Sequence, residues 1–154
     1  MEQKIIGWAE YIDFPEWGVF GVKTKVDTGA RSSALHVEDL EYQPHGRVRF
    51  DVIYSRKPPY RRKSVEARVL KRSRVRSSNG EYNERCFVRT TIRIGDVDRE
   101  IELSLVSREK MLFRMLLGRK ALEKQFLVNV NHRNLLSSRP RKSSETKKDR
   151  KKST

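Results

Sequence analysis

A strand that ends on Val26-Asp27-Thr28-Gly29-Ala30 constrains this chain more than any other stretch of it. Upstream, Phe20, Val22, Thr24 and Val26 alternate with Val19, Gly21, Lys23 and Lys25, the period of two that places one set of side chains on one face of a strand. The strand then enters a tight loop that presents a carboxylate backed by a hydroxyl. Asp27 supplies a group able to shuttle a proton, and Thr28 can hydrogen-bond beside it. Gly29 lets backbone N–H groups approach the acid without a Cβ in the way. Asp-Thr-Gly alone is a common turn composition, so the tripeptide needs a second element before it means more than a turn.

The rest of the chain repeats the same grammar of short strands and turn residues. Residues 4–12 read as a strand, followed by the turn Phe14-Pro15-Glu16-Trp17-Gly18. Residues 34–42 and 47–54 are two strands around Gln43-Pro44-His45-Gly46. Residues 64–75 alternate, and Ser77-Ser78-Asn79-Gly80 closes a hairpin, since Asn-Gly favours the type I′ turn. Residues 85–94 and 99–106 form another hairpin around Gly95-Asp96-Val97-Asp98, and residues 108–113 are a connection. A short helix is expected over 119–125 and a last strand over 126–130. The pattern predicts an all-β fold, a small closed barrel with one short C-terminal helix. One domain is expected over residues 1–137, with a basic tail at 138–154.

The second element is Met115-Leu116-Leu117-Gly118-Arg119, two apolar residues before a glycine, then Lys120-Ala121-Leu122-Glu123-Lys124. Together with KTKVDTGARSSALHV at 23–37, VRSSNGEY at 75–82 and FRMLLGRKAL at 113–122, it resembles the RimB family. These are bacterial retropepsin-like peptidases, often labelled ATP-dependent zinc proteases. The resemblance runs from about residue 7 to residue 130 and implies the retropepsin barrel. It implies that Asp27 is catalytic and that Thr28 braces two such loops across a dimer axis. Gly29 and Ala30 would lie close to the substrate backbone, and Leu116, Leu117 and Gly118 would support the loop. Residues 75–81, tipped by Ser78, Asn79 and Gly80, would be a flap over bound peptide; the alternative is an ordinary surface turn.

One position departs from the viral retropepsins. There an acid commonly follows Asp-Thr-Gly-Ala and pairs with the arginine after apolar-apolar-Gly; here that position is Arg31, facing Arg119. Two cations beside the cleft point to an acidic ligand such as a substrate carboxylate. RimB-type proteins accompany RimK-type ligases that add glutamates to a ribosomal protein, which fits a basic cleft. The run Asn129-Val130-Asn131 also departs from the Asp-Pro expected after Phe-Leu-Val in that family.

Aspartic proteolysis needs two carboxylates sharing one proton around a water. The chain has a single Asp-Thr-Gly, and Gly95-Asp96-Val97-Asp98 reads as a plain turn, so the pair must come from two copies. The expectation is a homodimeric aspartic peptidase acting on an acidic or glutamate-modified peptide. The alternative is a noncatalytic module that holds RNA, ribosome or polyglutamate on a basic surface.

Charge bears on that alternative. Net charge is +15; residues 139–154 carry eight basic residues against Glu145 and Asp149, which is +6 and leaves +9 for the rest. That tail cannot repay ordering by burial and is expected to be disordered. Residues 56–76 hold ten basic residues and one acid, Glu66, with Tyr54 and Tyr60 at the start, a composition suited either to a solvated face or to a ribosome or RNA contact.

No apolar run approaches membrane-spanning length, and there is no signal-peptide core. The single Cys86 fits a reducing, cytoplasmic setting, and a strand thiol rather than a nucleophile. His36, His45 and His132 are scattered, with no His-Glu-x-x-His and no glycine-rich phosphate loop, so neither a metal nor a nucleotide cofactor is expected.

Overall fold

The computed structural model describes residues 2–55, 59–76, 80–108 and 112–138. Nine strands form one sheet system: β2 (Ala9–Phe14), β3 (Val19–Val26), β4 (Ser33–Gln43), β5 (Arg47–Ile53), β6 (Arg62–Arg68), β7 (Lys71–Arg76), β8 (Tyr82–Ile94), β9 (Val97–Val106) and β10 (Met115–Leu117). The order β10-β3-β2-β8-β9-β4 closes on itself because β10 pairs with both β3 and β4. β5 and β6 continue outward from β4, and β7 is added to β8. A separate two-stranded parallel pair joins β1 (Lys4–Gly7) to β11 (Phe126–Asn129). The only α-helix among the described residues is α1 (Arg119–Leu122). The predicted all-β ring with one short helix is what forms.

The ring encloses a core of Ile12, Phe14, Val22, Leu35, Phe50, Val88, Ile92, Leu103, Met115 and Leu117, each at most 1% exposed. Aliphatic burial of this extent, on the order of 2 kcal/mol per side chain, supplies the drive that holds short strands together. Trp17 stacks on Phe14 at 5.0 Å and meets Phe50 edge-on at 5.4 Å, sealing one side of the ring.

Four local expectations need correction. Residues 4–12 are not one strand: the chain breaks at Trp8, and β1 and β2 belong to different sheets. Residues 64–75 likewise split at Val69-Leu70, where the Val69 N–H donates to Gly46 O (2.8 Å) and the Leu70 N–H to Phe87 O (2.8 Å). That switch carries the chain from the β5 edge to the β8 edge. The helix expected over 119–125 ends at Leu122, and turn residues follow to Gln125.

The fourth correction concerns the inward set of β3. It begins at Val19 rather than Phe20; Phe20 is 53% exposed and Val19 fully buried. The register slips between Ile12 and Phe14, and Gly21 adopts φ +74° with its N–H donating to Asp13 Oδ1 (2.7 Å). One extra residue in a bulge exchanges the faces of the strand before it, and the positive φ is why that residue is glycine.

Candidate active site

Asp27 sits at the end of β3, half-buried, with Thr28 and Gly29 exposed and Ala30 half-buried after it. Backbone bonds hold the loop from both sides. The Val26 N–H donates to Trp8 O (2.8 Å) and the Asp27 N–H to Leu117 O (2.9 Å). The Ala30 N–H returns to Asp27 O (3.1 Å), closing the turn. The Asp27 carboxylate accepts one of the loop's own donors, the Gly29 N–H, at 3.0 Å on Oδ1. A Cβ at Gly29 would stand 3.3 Å from that same oxygen, so glycine gives the carboxylate its room.

β10 is what grips this loop. It lies parallel to β3, with Leu116 opposite Lys25 and Leu117 opposite Val26, and antiparallel to β4, with Leu116 opposite Ala34. Leu117 is fully buried and pairs with β3, while Leu116 is half-buried and is held by pairing on two sides. Gly118 follows at the point of closest approach: a Cβ there would be 2.5 Å from Ser32 O and 3.0 Å from the Arg31 carbonyl carbon. The Gly118 N–H donates to the buried Ser33 Oγ (3.0 Å), while Arg119 and Lys120 donate their backbone N–H groups to Ala30 O (2.8 Å) and Arg31 O (3.1 Å). The two motifs, far apart in sequence, therefore form one hydrogen-bonded unit.

Arg31 is exposed and makes no ion pair among the described residues. The Arg119 guanidinium donates to Thr28 O (3.0 Å), so it braces the loop through a carbonyl in place of a carboxylate at position 31. An acid does share their surroundings, since Arg31, Arg119, Lys120 and Glu123 line one cavity. Of the expected flap tip, Ser78 and Asn79 lie outside the described residues. Gly80 is present with φ +88°, and the hairpin arms are β7 and β8, paired from Lys71–Phe87 to Arg76–Tyr82.

Other residues singled out in the sequence have plain partners. Asp98 forms a two-point ion pair with Arg93 (2.7 and 3.0 Å), which lowers its carboxyl below the ordinary range. Cys86 is buried on β8, and desolvation pushes its thiol up, away from thiolate chemistry. His36 is fully buried. Its Nδ1 accepts the Arg108 N–H (3.0 Å), so the proton is on Nε2, 3.3 Å from Glu38 Oε2. Among the described residues no three His, Cys, Asp or Glu side chains converge as metal ligands.

Several cations of the basic segment are already engaged: Arg62 with Glu38, Asp39 and Asp51, Lys71 with Glu102, and Arg72 with Glu84. Residues 56–58 and 139–154 lie outside the described residues. Sequence reading assigned no part to Ser33, Trp8 or Lys120. Ser33 and Lys120 lie inside the quoted motifs, but only the fold shows what they touch.

No helix among the described residues is long and apolar enough to cross a membrane. A crystal structure of a Legionella pneumophila protein of unknown function is similar in fold, with TM-score 0.73 and 24% identity over 88% of this chain and all of that one. A protein of Shewanella halifaxensis named "probable alpha-L-glutamate ligase" is 37% identical over 131 residues, covering 81% of this chain. A Desulfotalea psychrophila protein of the same name is 32% identical over 130 residues, covering 82%. The chain spans 28% of the length of each of these two relatives. The family model described as "RimB-like: Retropepsin-like aspartic endopeptidase RimB" matches residues 5–139, across both halves of the site just built, and the chain belongs to that family.

Proposed function

We propose that this chain is an aspartic peptidase that works as a homodimer, one Asp27 from each copy, on an acidic or glutamate-modified peptide. The observation that carries the reading is the contrast within the loop. Its backbone is locked by β10 and α1, yet the Asp27 carboxylate keeps Oδ2 free of hydrogen bonds from the described residues. Two such carboxylates meeting across a two-fold axis share one proton. The ionised member takes a proton from a water, the resulting hydroxide adds to the peptide carbonyl, and the protonated member donates to the carbonyl oxygen. Collapse of the diol breaks the C–N bond as a proton passes to the departing amine.

Arg31 and Lys120 beside the loop favour an acidic substrate. The relatives named for ligating glutamate carry this domain within a longer chain, which fits a peptidase acting on a product of glutamate addition. A cytoplasmic location, a globular part ending near residue 137 and a flap over residues 75–81 belong to the same reading. The test is cleavage of a glutamylated peptide panel by wild type and Asp27→Asn across protein concentration. Activity lost in the variant and rising faster than linearly with concentration is the expected result. An Asp27→Asn protein that cleaves as well as wild type would sink the proposal.

A second reading, a noncatalytic holder of RNA, ribosome or polyglutamate, has its own observation. On the β7–β8 hairpin Arg74 lies over the Tyr82 ring (4.9 Å) and Arg72 over the Tyr42 ring (3.9 Å), with Tyr82 57% exposed. This reading predicts RNA binding that falls steeply with salt and is indifferent to Asp27→Asn.

A further inference from the structure

A second cavity, of about 450 Å³, opens behind the catalytic loop. One wall is the loop and helix, through Arg31, Ser32, Ser33, Lys120 and Ala121; the other is the outer face of the sheet, through Lys71 on β7, Arg89 on β8, and Glu100 and Glu102 on β9. It adjoins the cavity of Arg31, Arg119, Lys120 and Glu123, and Arg31 and Lys120 belong to both. Four cations face two carboxylates. The cavity already displays how it holds an acid: Glu102 lies between Lys71 and Arg89, 3.5 Å from each, and all three side chains are one-third to about half exposed. Arg31 and Lys120 form no ion pair among the described residues, although each is fixed at its backbone by the bond from the Lys120 N–H to Arg31 O.

Cations placed on a rigid backbone with no acid of their own are poised for an incoming carboxylate, and a charge-assisted bond is stronger than a neutral one. We propose that this cavity is a specificity subsite for an acidic substrate side chain away from the scissile bond, with Arg31 and Lys120 taking its carboxylate. Lys71 and Arg89, shared with Glu102, form the far rim. This rests on the peptidase reading for the identity of the ligand as a peptide, and it adds where selectivity resides.

The test uses the full chain carrying Asp27→Asn, so that binding is read without cleavage, and a fluorescent oligoglutamate with an oligoglutamine control. Fluorescence anisotropy is expected to show oligoglutamate binding weakened about tenfold by Lys120→Gln, and by Arg31→Gln as much, with circular dichroism unchanged. Lys120→Glu should turn the preference toward oligolysine. Arg49→Gln, at an exposed cation on β5 that lines neither cavity, should change affinity less than twofold.

No oligoglutamate binding by the parent, binding by both Gln variants as tight as the parent's, or an equal loss in Arg49→Gln would each overturn the subsite. The two proposals fail separately. Lys120-dependent binding with no cleavage by wild type leaves the subsite standing and removes the peptidase. Cleavage of acidic peptides whose KM ignores Lys120→Gln does the reverse.

Discussion

The Glu10 and Asp27 carboxylates both accept backbone N–H groups, and they could hardly be treated more differently. Glu10, on β2, is 1% exposed and accepts from the N–H groups of Gly7 (2.7 Å), Leu135 (2.8 Å), Leu136 (3.3 Å) and Ser137 (2.9 Å), and from the Ser137 hydroxyl (2.6 Å). Asp27 is half-buried and accepts from Gly29 alone among the described residues. A carboxylate with its lone pairs saturated is a structural rivet: it ties the segment after β11 to the start of β2 and has nothing left to offer. One held by a single donor, on a loop whose backbone is otherwise fixed, keeps lone pairs for the chemistry proposed for it. Saturation, rather than burial or charge as such, separates the two roles.

Substitutions can break or sharpen that contrast. The largest effect is expected for Asp27→Asn: peptide cleavage should fall by about a thousandfold or more, the scale of a lost acid–base group, while urea unfolding stays where it was. A large loss of stability in this variant would erase the distinction. Glu10→Ala should do the opposite, lowering unfolding free energy by about 3–5 kcal/mol because four backbone donors lose their acceptor together, as a denaturant midpoint will show.

Gly118→Ala falls between the two classes. Its Cβ would press on Ser32 O at 2.5 Å, and a cost of about 2–3 kcal/mol with a matching loss of the proposed turnover is expected, because the backbone that must yield belongs to the Asp27 loop. Ser33→Ala removes only the acceptor of the Gly118 N–H and should cost about 1–2 kcal/mol in the same unfolding assay.

The smallest effect lies at the surface. Arg72 holds the Glu84 carboxyl below its usual 4.5, and Arg93 holds Asp98 below 3.8. Lowered carboxyls stabilise the fold above those values and lose that contribution as pH falls through the lower, folded ones. Wild type should therefore outlast Arg93→Gln slightly at neutral pH, with the gap closing below about pH 4 when unfolding midpoints are compared.

The sequence carried the ring and the heart of the site because both rest on local signals. Period-two alternation marks a strand wherever one face is buried, and Asp27-Thr28-Gly29 with Leu116-Leu117-Gly118 names its loop by the residues the geometry demands. What stayed hidden was set by partners distant in the chain. Nothing near Glu10 announces that Leu135 to Ser137 will come to it. The exchange of Val19 for Phe20 hangs on one bulge at Gly21. The breaks at Trp8 and at Val69-Leu70 are strands changing neighbours, which alternation does not report. Arg31 and Arg119 looked like a pair of unopposed charges; the backbone carbonyl of Thr28, invisible to composition, answers one of them.

The placement of β10 also bears on when the site comes into being. Met115 pairs with Thr24 and Leu35, partners made far earlier on the ribosome, and the Asp27 amide waits for Leu117. Closing so long a span is entropically slow and gains its reward only when the last strand of the ring slots in. Assembly of the Asp27 loop, and with it the proposed activity, is thus coupled to completion of the fold. Pulse-labelled hydrogen exchange should find the amides of Asp27 and Arg119 among the last protected, and a nascent chain that stops short of β10 has no assembled Asp27 loop.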